Sequence, residues 1–457
     1  MTDGGPVTTI VDAEVAGTGV DVRIERGRVE QIGTSLPCTG TRLVRAGGAA
    51  LLPGLHDHHL HLLAMAARDR SLDVGATADP VAFEMRLRAA HERLPGGEWL
   101  RVVGYDEAHG PLHPDRLDRL APGRAVRVQH RTGAAWMLSS TGATLAGVEP
   151  GTEWRHRDDE RLGRSWQGDG PPDLAAIGAR LASYGVTGVT DATPSTEPAS
   201  FETLAAARAR GDLPQRVVVT GGPALATHQP PDGLEPGPVK IIVADHDLPH
   251  PDQLAAWFQV AHRADRPVAV HCVTRVALVL ALVAWEQVGA VPGDRIEHAS
   301  VVPLELLGPL ASLGVQVVTQ PAFVHAHGDR YLRTVDRDDV PHLYRCASLI
   351  EAGIGVGGST DAPFGPEDPW VAIRTATDRR TRNGDVLGSR EAVPARTALD
   401  AFLSRLDAPG GPPRRVGIGD VADLCLLDAP LDRVLAAPYP GRVVATWVQG
   451  ELAHTRM

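Results

Sequence analysis

The chain has 457 residues, 43% of them hydrophobic and 22% charged, with a formal charge of -11 at pH 7. That length buries a large core and is long for one compact domain unless the domain is an α/β barrel or carries an appendage. The composition excludes a disordered or collagen-like chain, and the negative balance, without any Lys/Arg cluster, argues against nucleic acid or an anionic membrane as partner.

From the amino end, MTDGGPVTTI lacks the basic-then-apolar order of a secretion signal. Residues 7 to 52 alternate polar and apolar positions in short runs, which predicts small antiparallel strands with a hairpin tip at GR, 27 to 28. The far end has the same texture in GDVADLCLLDA (419–429) and GRVVATWVQGELA (441–453). Residues 1–52 and 406–457 are therefore expected to build one small β domain. Between them, residues 53–405 alternate apolar runs such as VKIIVAD, PVAVHC and VQVVTQP with Ala/Leu/Arg segments of helical length. That order predicts parallel βα units, roughly eight of them if 96–170 supplies one strand and a long excursion. A TIM-like (β/α)8 barrel is the expected architecture. The run VALVLALVAW (276–285) is too short to span a bilayer and reads as a buried helix. Cys38, Cys272, Cys346 and Cys425 are well separated, which points to the cytoplasm rather than to a disulfide scaffold.

Histidine is the outlier at 19 residues. Residues 51–62 read LLPGLHDHHLHL, and a His-x-His pair on an extended segment sets both side chains on one face. His59 and His61 can thus approach one ion. Other polar residues stand at the ends of expected strands: Lys240, His271, His298 and Asp361. In a barrel such ends converge on one mouth. Imidazole suits Zn2+, Fe2+, Ni2+ and Co2+, and a carboxylate such as Asp361 would complete a harder nitrogen and oxygen sphere. Read without a metal, the same residues are hydrogen-bonded histidines, a solvent-reaching lysine and a helix-capping aspartate. A second HxH, His325 and His327 in QPAFVHAHGDRY, could touch substrate or line a polar loop, and His246 is a pocket candidate. Cys272 should point away from His271, as a buried apolar group.

The pattern resembles the amidohydrolase superfamily. Its carriers are PGLHDHHLH (53–61), VAVH ending at His271, RIEHA containing His298, GGSTDAP containing Asp361, and IGDVADLCLLD (418–428). Within it the chain is similar to the YtcJ-like group, related to N-substituted formamide deformylases, through VGYDEA (103–108), the stretch from 117 to 140, GVTGVTDATP (185–194) and VKIIVAD (239–245). The resemblance implies a (β/α)8 barrel with a small β-sandwich and a metal sphere of His59, His61, Lys240, His271, His298 and Asp361. In it Lys240 is carboxylated as a bridge, Asp361 is the proton carrier, and His298 is a second-metal ligand or a donor to substrate. It implies hydrolysis of a C–N bond in an amide, formamide, carbamate or lactam of a small molecule, and leaves room for a homo-oligomer. Tyr105 and Trp136 join His246, His325 and His327 as pocket candidates. Gly133 stands where the group carries histidine, and Asp245, His246 and Asp247 replace its DGS segment, so formamide specificity does not carry over. The competing readings are a mononuclear aminohydrolase, against which Thr274 replaces the usual glutamate three residues after His271, and a non-catalytic binding protein on a degenerate barrel.

Overall fold

The computed structural model describes residues 7–75, 77, 79–133, 135–149, 151, 155–156, 172–194 and 197–456. The opening residues 1–6 and most of 150–170 in the expected excursion lie outside the described residues. The chain divides into two compact units, Met1–Leu62 with Leu174–Met457, and Leu63–Asp173.

In the first unit, β1 (Thr8–Val15), β2 (Thr18–Glu25), β3 (Arg28–Gly33) and β4 (Arg42–Arg45) form a sheet in the order β3-β2-β1-β4. The β2–β3 turn places Arg26 and Gly27 at φ 51° and 76°, the left-handed pair that matches hairpin twist. Next come β5 (Leu51–Pro53) and β6 (Leu55–Leu60). The second unit carries β7 (Leu72–Asp73), β8 (Leu100–Tyr105), β9 (Val126–His130), β10 (Ala135–Leu138) and β11 (Arg155–His156), ordered β11-β10-β9-β8-β7 over its own core of Phe83, Leu87, Val102, Leu117 and Val128.

The first unit then resumes as an alternation of strand and helix: β12 (Val186–Asp191), β13 (Arg216–Val219), β14 (Leu234–Pro236), β15 (Val239–Ile242), β16 (Val268–Cys272), β17 (Arg295–His298), β18 (Gln316–Thr319) and β19 (Val356–Gly358). They form two all-parallel sheets, β14-β13-β12-β6 and β15-β16-β17-β18-β19. The α/β class expected from the sequence is met. Only Gly237 and Pro238 separate β14 from β15: Gly237 N–H donates to the Val219 carbonyl on one sheet, Val239 N–H to the Pro267 carbonyl on the other, and proline has no N–H for either ladder.

Helix formation follows local signals. The helix Pro251–Arg263 starts with proline in its first turn and buries Leu254, Ala255, Phe258 and Ala261, one stripe at helical spacing. Thr274 caps the helix Arg275–Val288 by accepting from the Ala277 N–H. That helix is buried on one side, through Leu278, Leu282 and Trp285, while Val276 and Val279 are exposed, so the expected buried helix is half-buried. No helix among the described residues is long and apolar enough to cross a membrane.

The chain end returns as β20 (Leu424–Leu427), β21 (Val443–Val448) and β22 (Glu451–Thr455), in the order β22-β21-β20-β5. Ile10, Val22, Ile24 and Val44 from the amino end share one core with Leu424, Leu426, Ala445 and Trp447. All four cysteines are free.

Close approach beneath β19 gives a test. A Cβ on Gly358 would stand 2.5 Å from the Phe402 ring. Gly358→Ala is expected to destabilise the protein by about 1–3 kcal/mol through overpacking, read as a lower urea midpoint, and Phe402→Leu in the same chain should recover part of the loss.

Candidate metal centre

Strand parity sorts the four histidines of LHDHHLH. Asp57 and His59, with His61 just beyond the strand, share one face, and His56 and His58 take the other. On that second face both rings meet Ser404: His56 Nδ1 lies 2.9 Å from its carbonyl and His58 Nε2 2.9 Å from its hydroxyl. Burial pushes both imidazoles well below the ordinary histidine value, His58 to about 3. They are neutral packing groups.

The first face builds the site. His59 and His61 have ring centroids 5.3 Å apart, and a ligand atom of each lies with one of Asp361 inside a 4.8 Å cluster, all buried. Asp361 Oδ1 stands 3.2 Å from His61 Nε2 and 3.6 Å from His59 Nε2. Two imidazole nitrogens and a carboxylate oxygen thus lie within 4.8 Å of one another, and the donor set fits a divalent cation. Burial pushes the Asp361 carboxyl up, but the imidazoles around it, His59 foremost, hold it well below the usual carboxylate range. Backbone bonds fix the approach: Asp361 N–H donates to the His59 carbonyl and His61 N–H to the Ala362 carbonyl, both at 2.8 Å.

Which nitrogen His59 offers is set from behind. His59 Nδ1–H donates to Glu297 Oε2 at 2.5 Å, and Glu297 Oε1 accepts from Arg295 Nε at 2.7 Å, all fully buried. A carboxylate can only accept, so Nδ1 carries the proton and Nε2 offers its lone pair. Burial pushes the Glu297 carboxyl up, and Arg295, His59 and Lys240 more than reverse that. A regular strand would send Glu297 and His298 to opposite faces. The left-handed backbone at His298 (φ 72°) and Ala299 (φ 47°) turns the end of β17, and the His298 ring reaches within 4.8 Å of His59 and 4.5 Å of His271. His298 Nδ1 meets Gln320 Oε1 at 2.9 Å and lies 3.7 Å from Asp361 Oδ2. Lys240 is 2% exposed with no hydrogen-bond partner for Nζ; burial draws its amine down to about 8 against the opposing pull of Glu297 and Asp361.

Residues 42–454 match the amidohydrolase family. The chain belongs to that family. It is 24% identical over 518 aligned residues to the N-substituted formamide deformylase of Arthrobacter pascens, covering 95% of each chain. To YtcJ of Bacillus subtilis (strain 168), named as an amidohydrolase, it is 24% identical over 464 residues, covering 86% of this chain and 84% of that one. The fold is similar to that of an uncharacterized metal-dependent hydrolase from Pyrococcus horikoshii OT3, with a TM-score of 0.73 at 19% identity over 92% of this chain and 97% of the other. The expected likeness to the YtcJ-like group is met.

Of the remaining candidates in this amidohydrolase, those of the first unit fall outside the cluster. His325 and His327 lie on the helix Ala322–Thr334, not in a loop, so residues two apart cannot face one ion as they would on a strand. His325 Nδ1 meets the Arg380 carbonyl at 3.3 Å, while His327 Nε2 meets that of Phe364 at 3.1 Å. Phe364 packs edge-on against His61, at 5.6 Å between centroids, so of the pair only His327 is tied to the site's rim. His246 is exposed in a turn closed by Asp247 N–H on the Ala244 carbonyl. Tyr105 and Trp136 belong to the second unit, where the Tyr105 hydroxyl donates to the Gly110 carbonyl at 2.5 Å and Trp136 packs on a small cluster with Leu138 and Ala143. Thr274 is occupied as a helix cap and donates to Asp245 Oδ1. Cys272 is buried, as expected. Glu297, Arg295 and Gln320 escaped the sequence reading. The signal for Glu297 is a carboxylate beside a candidate ligand in RIEH, which strand alternation would send to the opposite face from His298.

Glu297→Gln replaces an obligate acceptor of the His59 proton with an amide that can turn either face to it. Affinity for a divalent cation should fall by about 10–100-fold, measured by competition with a chromophoric chelator on metal-stripped protein. Wild-type affinity in this variant would remove the role assigned to the carboxylate.

Proposed function

We propose that this amidohydrolase cleaves a carbon–nitrogen bond other than a peptide bond, in an amide, formamide, carbamate or lactam of a small molecule, with water as the nucleophile. One observation carries the reading: His59, His61 and Asp361 are buried and bring two imidazole nitrogens and a carboxylate oxygen within 4.8 Å of one another. A divalent cation held there, zinc first by the nitrogen and oxygen donors, would supply Lewis acidity, lowering the pKa of water and polarising a carbonyl. The names of the formamide deformylase and the metal-dependent hydrolase support the same class.

We read the two parallel sheets as one (β/α)8 barrel, with β14 and β15 as a single interrupted strand and the site at the carboxyl ends of the strands. The Gly237 and Val239 bonds support closure on one side, and the bonds between the ends of β6 and the Asp361 segment support it on the other. The two outer sheets with their shared core support a small β-sandwich drawn from both chain ends.

Each residue has a task in this reading. Asp361 accepts a proton from the attacking water and returns it to the leaving nitrogen, which departs poorly as an anion. Lys240 would act as a carbamate, its amine nitrogen bonded to the carbon of CO2 with loss of a proton, and the resulting anion would help to hold divalent cations. As an ammonium it would set positive charge beside them at low dielectric. Its Nζ, buried without a partner, supports this role. His271 would serve a second cation, and His298 has two roles open to it, ligand to that cation or hydrogen-bond donor to substrate. Thr274, held by its cap and by Asp245, leaves no carboxylate in the place a deaminase uses, which favours amide-type cleavage over the aminohydrolase alternative. Free cysteines favour the cytoplasm, and the charge of -11 favours a free small molecule over nucleic acid or membrane.

Elemental analysis of protein purified without chelators is expected to give near two metals per chain, with a native-mass adduct of about 44 Da. One metal and no adduct would remove the Lys240 bridge. Asp361→Asn should lower turnover of an amide or carbamate substrate by about 10²–10⁴-fold while the thermal unfolding midpoint stays in the folded range. Full activity in that variant would exclude Asp361 as the proton carrier.

A further inference from the structure

The bond behind His298 differs in kind from the one behind His59. Gln320 is fully buried; its Nε2–H donates to Ser359 Oγ at 2.9 Å, and the Ser359 hydroxyl donates in turn to the Thr319 carbonyl at 3.1 Å. With its amide nitrogen committed to Ser359, Gln320 turns Oε1 to His298 Nδ1, 2.9 Å away. A carbonyl oxygen can only accept, so Nδ1 of a neutral His298 carries the proton. Among the described residues, Nδ1 is the only nitrogen of this ring with a hydrogen bond. Thr319 secures the other end, its hydroxyl donating to the His298 carbonyl at 2.9 Å. The ring therefore has one free nitrogen, and that nitrogen has no hydrogen to give.

We propose that Gln320 is a positioning residue that fixes the tautomer of His298, so that Nε2 serves with His271 as a lone-pair ligand to a second divalent cation and not as a proton donor to substrate. The inference rests on the two-metal reading above and decides between the two roles open to His298. It also ranks the two cation positions. The partner behind His59 is an anion backed by Arg295 and raises the basicity of the ring, whereas the partner behind His298 is a neutral amide that orients the ring and adds no charge. Cations should then fill the His59, His61 and Asp361 position first and the His271 and His298 position second.

The test is titration of metal-stripped full-length protein with Co2+, following the visible absorption of each equivalent. Wild type should take two equivalents in two steps. Gln320→Leu should keep the first step unchanged and weaken the second by about 10–100-fold. Gln320→Glu should restore the second step, because its carboxylate still accepts from Nδ1 while the Ser359 hydroxyl can turn to donate to it. Ser359→Ala, a smaller change, frees the Gln320 amide to flip and should weaken the second step alone, which keeps the test available if the leucine variant does not fold. Two wild-type steps with an unaltered second step in Gln320→Leu or Ser359→Ala would overturn the role of Gln320. So would equal loss of the second step in the leucine and glutamate variants. Fewer than two equivalents in wild type would overturn the two-metal reading itself, and this inference with it.

Discussion

Everything at the centre depends on a single buried carboxylate, Asp57. Its Oδ1 accepts the N–H of His59 at 3.2 Å and of Thr360 at 3.1 Å, and its Oδ2 accepts the Thr360 hydroxyl at 2.5 Å. One side chain thus ties the ligand-bearing end of β6 to the segment after β19, some three hundred residues later in the chain. Burial pushes this carboxyl up to about 7, with the Thr360 and His59 donors opposing. An isolated carboxylate would not stay there; three donors make the position tenable. The left-handed backbone at Asp361, φ 52°, is held in this frame by its N–H on His59 and the neighbouring His61 bond. Such conformations cost about 1–3 kcal/mol each and persist where the surroundings over-determine them.

The centre is built outward in layers that alternate in charge. The inner donors are His59, His61 and Asp361, with Lys240, His271 and His298 beside them. Behind stand Glu297, Arg295 and Gln320, buried and hydrogen-bonded in ways that leave little freedom to the rings they touch. Lys240 sits among them with no hydrogen-bond acceptor for its amine, burial pulling that amine down and Glu297 and Asp361 pulling it up. On the far face of β6, Ser404 takes up His56 and His58 with one carbonyl and one hydroxyl, and a cluster dense enough to suggest a single four-histidine site divides into two pairs with separate tasks.

The sequence was most legible where spacing alone carries geometry. A period of two placed His59 with His61 and apart from His56 and His58; His271 and His298 do stand at strand ends, whereas Lys240 is the second residue of β15 and Asp361 lies beyond the end of β19. It was least legible where an element departs from its regular form. Glu297 reads as a residue facing away from His298 until the left-handed turn at the end of β17 is seen. The second HxH looked like the first, but residues 322–334 are helical and a helix gives a spacing of two no common face. Gln320 and Asp57 act through partners 22 and 303 positions along the chain, a relation that no local pattern encodes. Tyr105 stands in VGYDEA, one of the stretches that carry the family resemblance, yet its hydroxyl closes a turn inside its own unit, a structural use that residue type does not announce.

The most direct measurement is an anomalous difference map at the zinc absorption edge, from crystals of protein purified without chelators. The account predicts a peak within bonding distance of Nε2 of His59, Nε2 of His61 and a carboxylate oxygen of Asp361. A clean map at that point, with the three side chains ordered and hydrogen-bonded to one another, would contradict it.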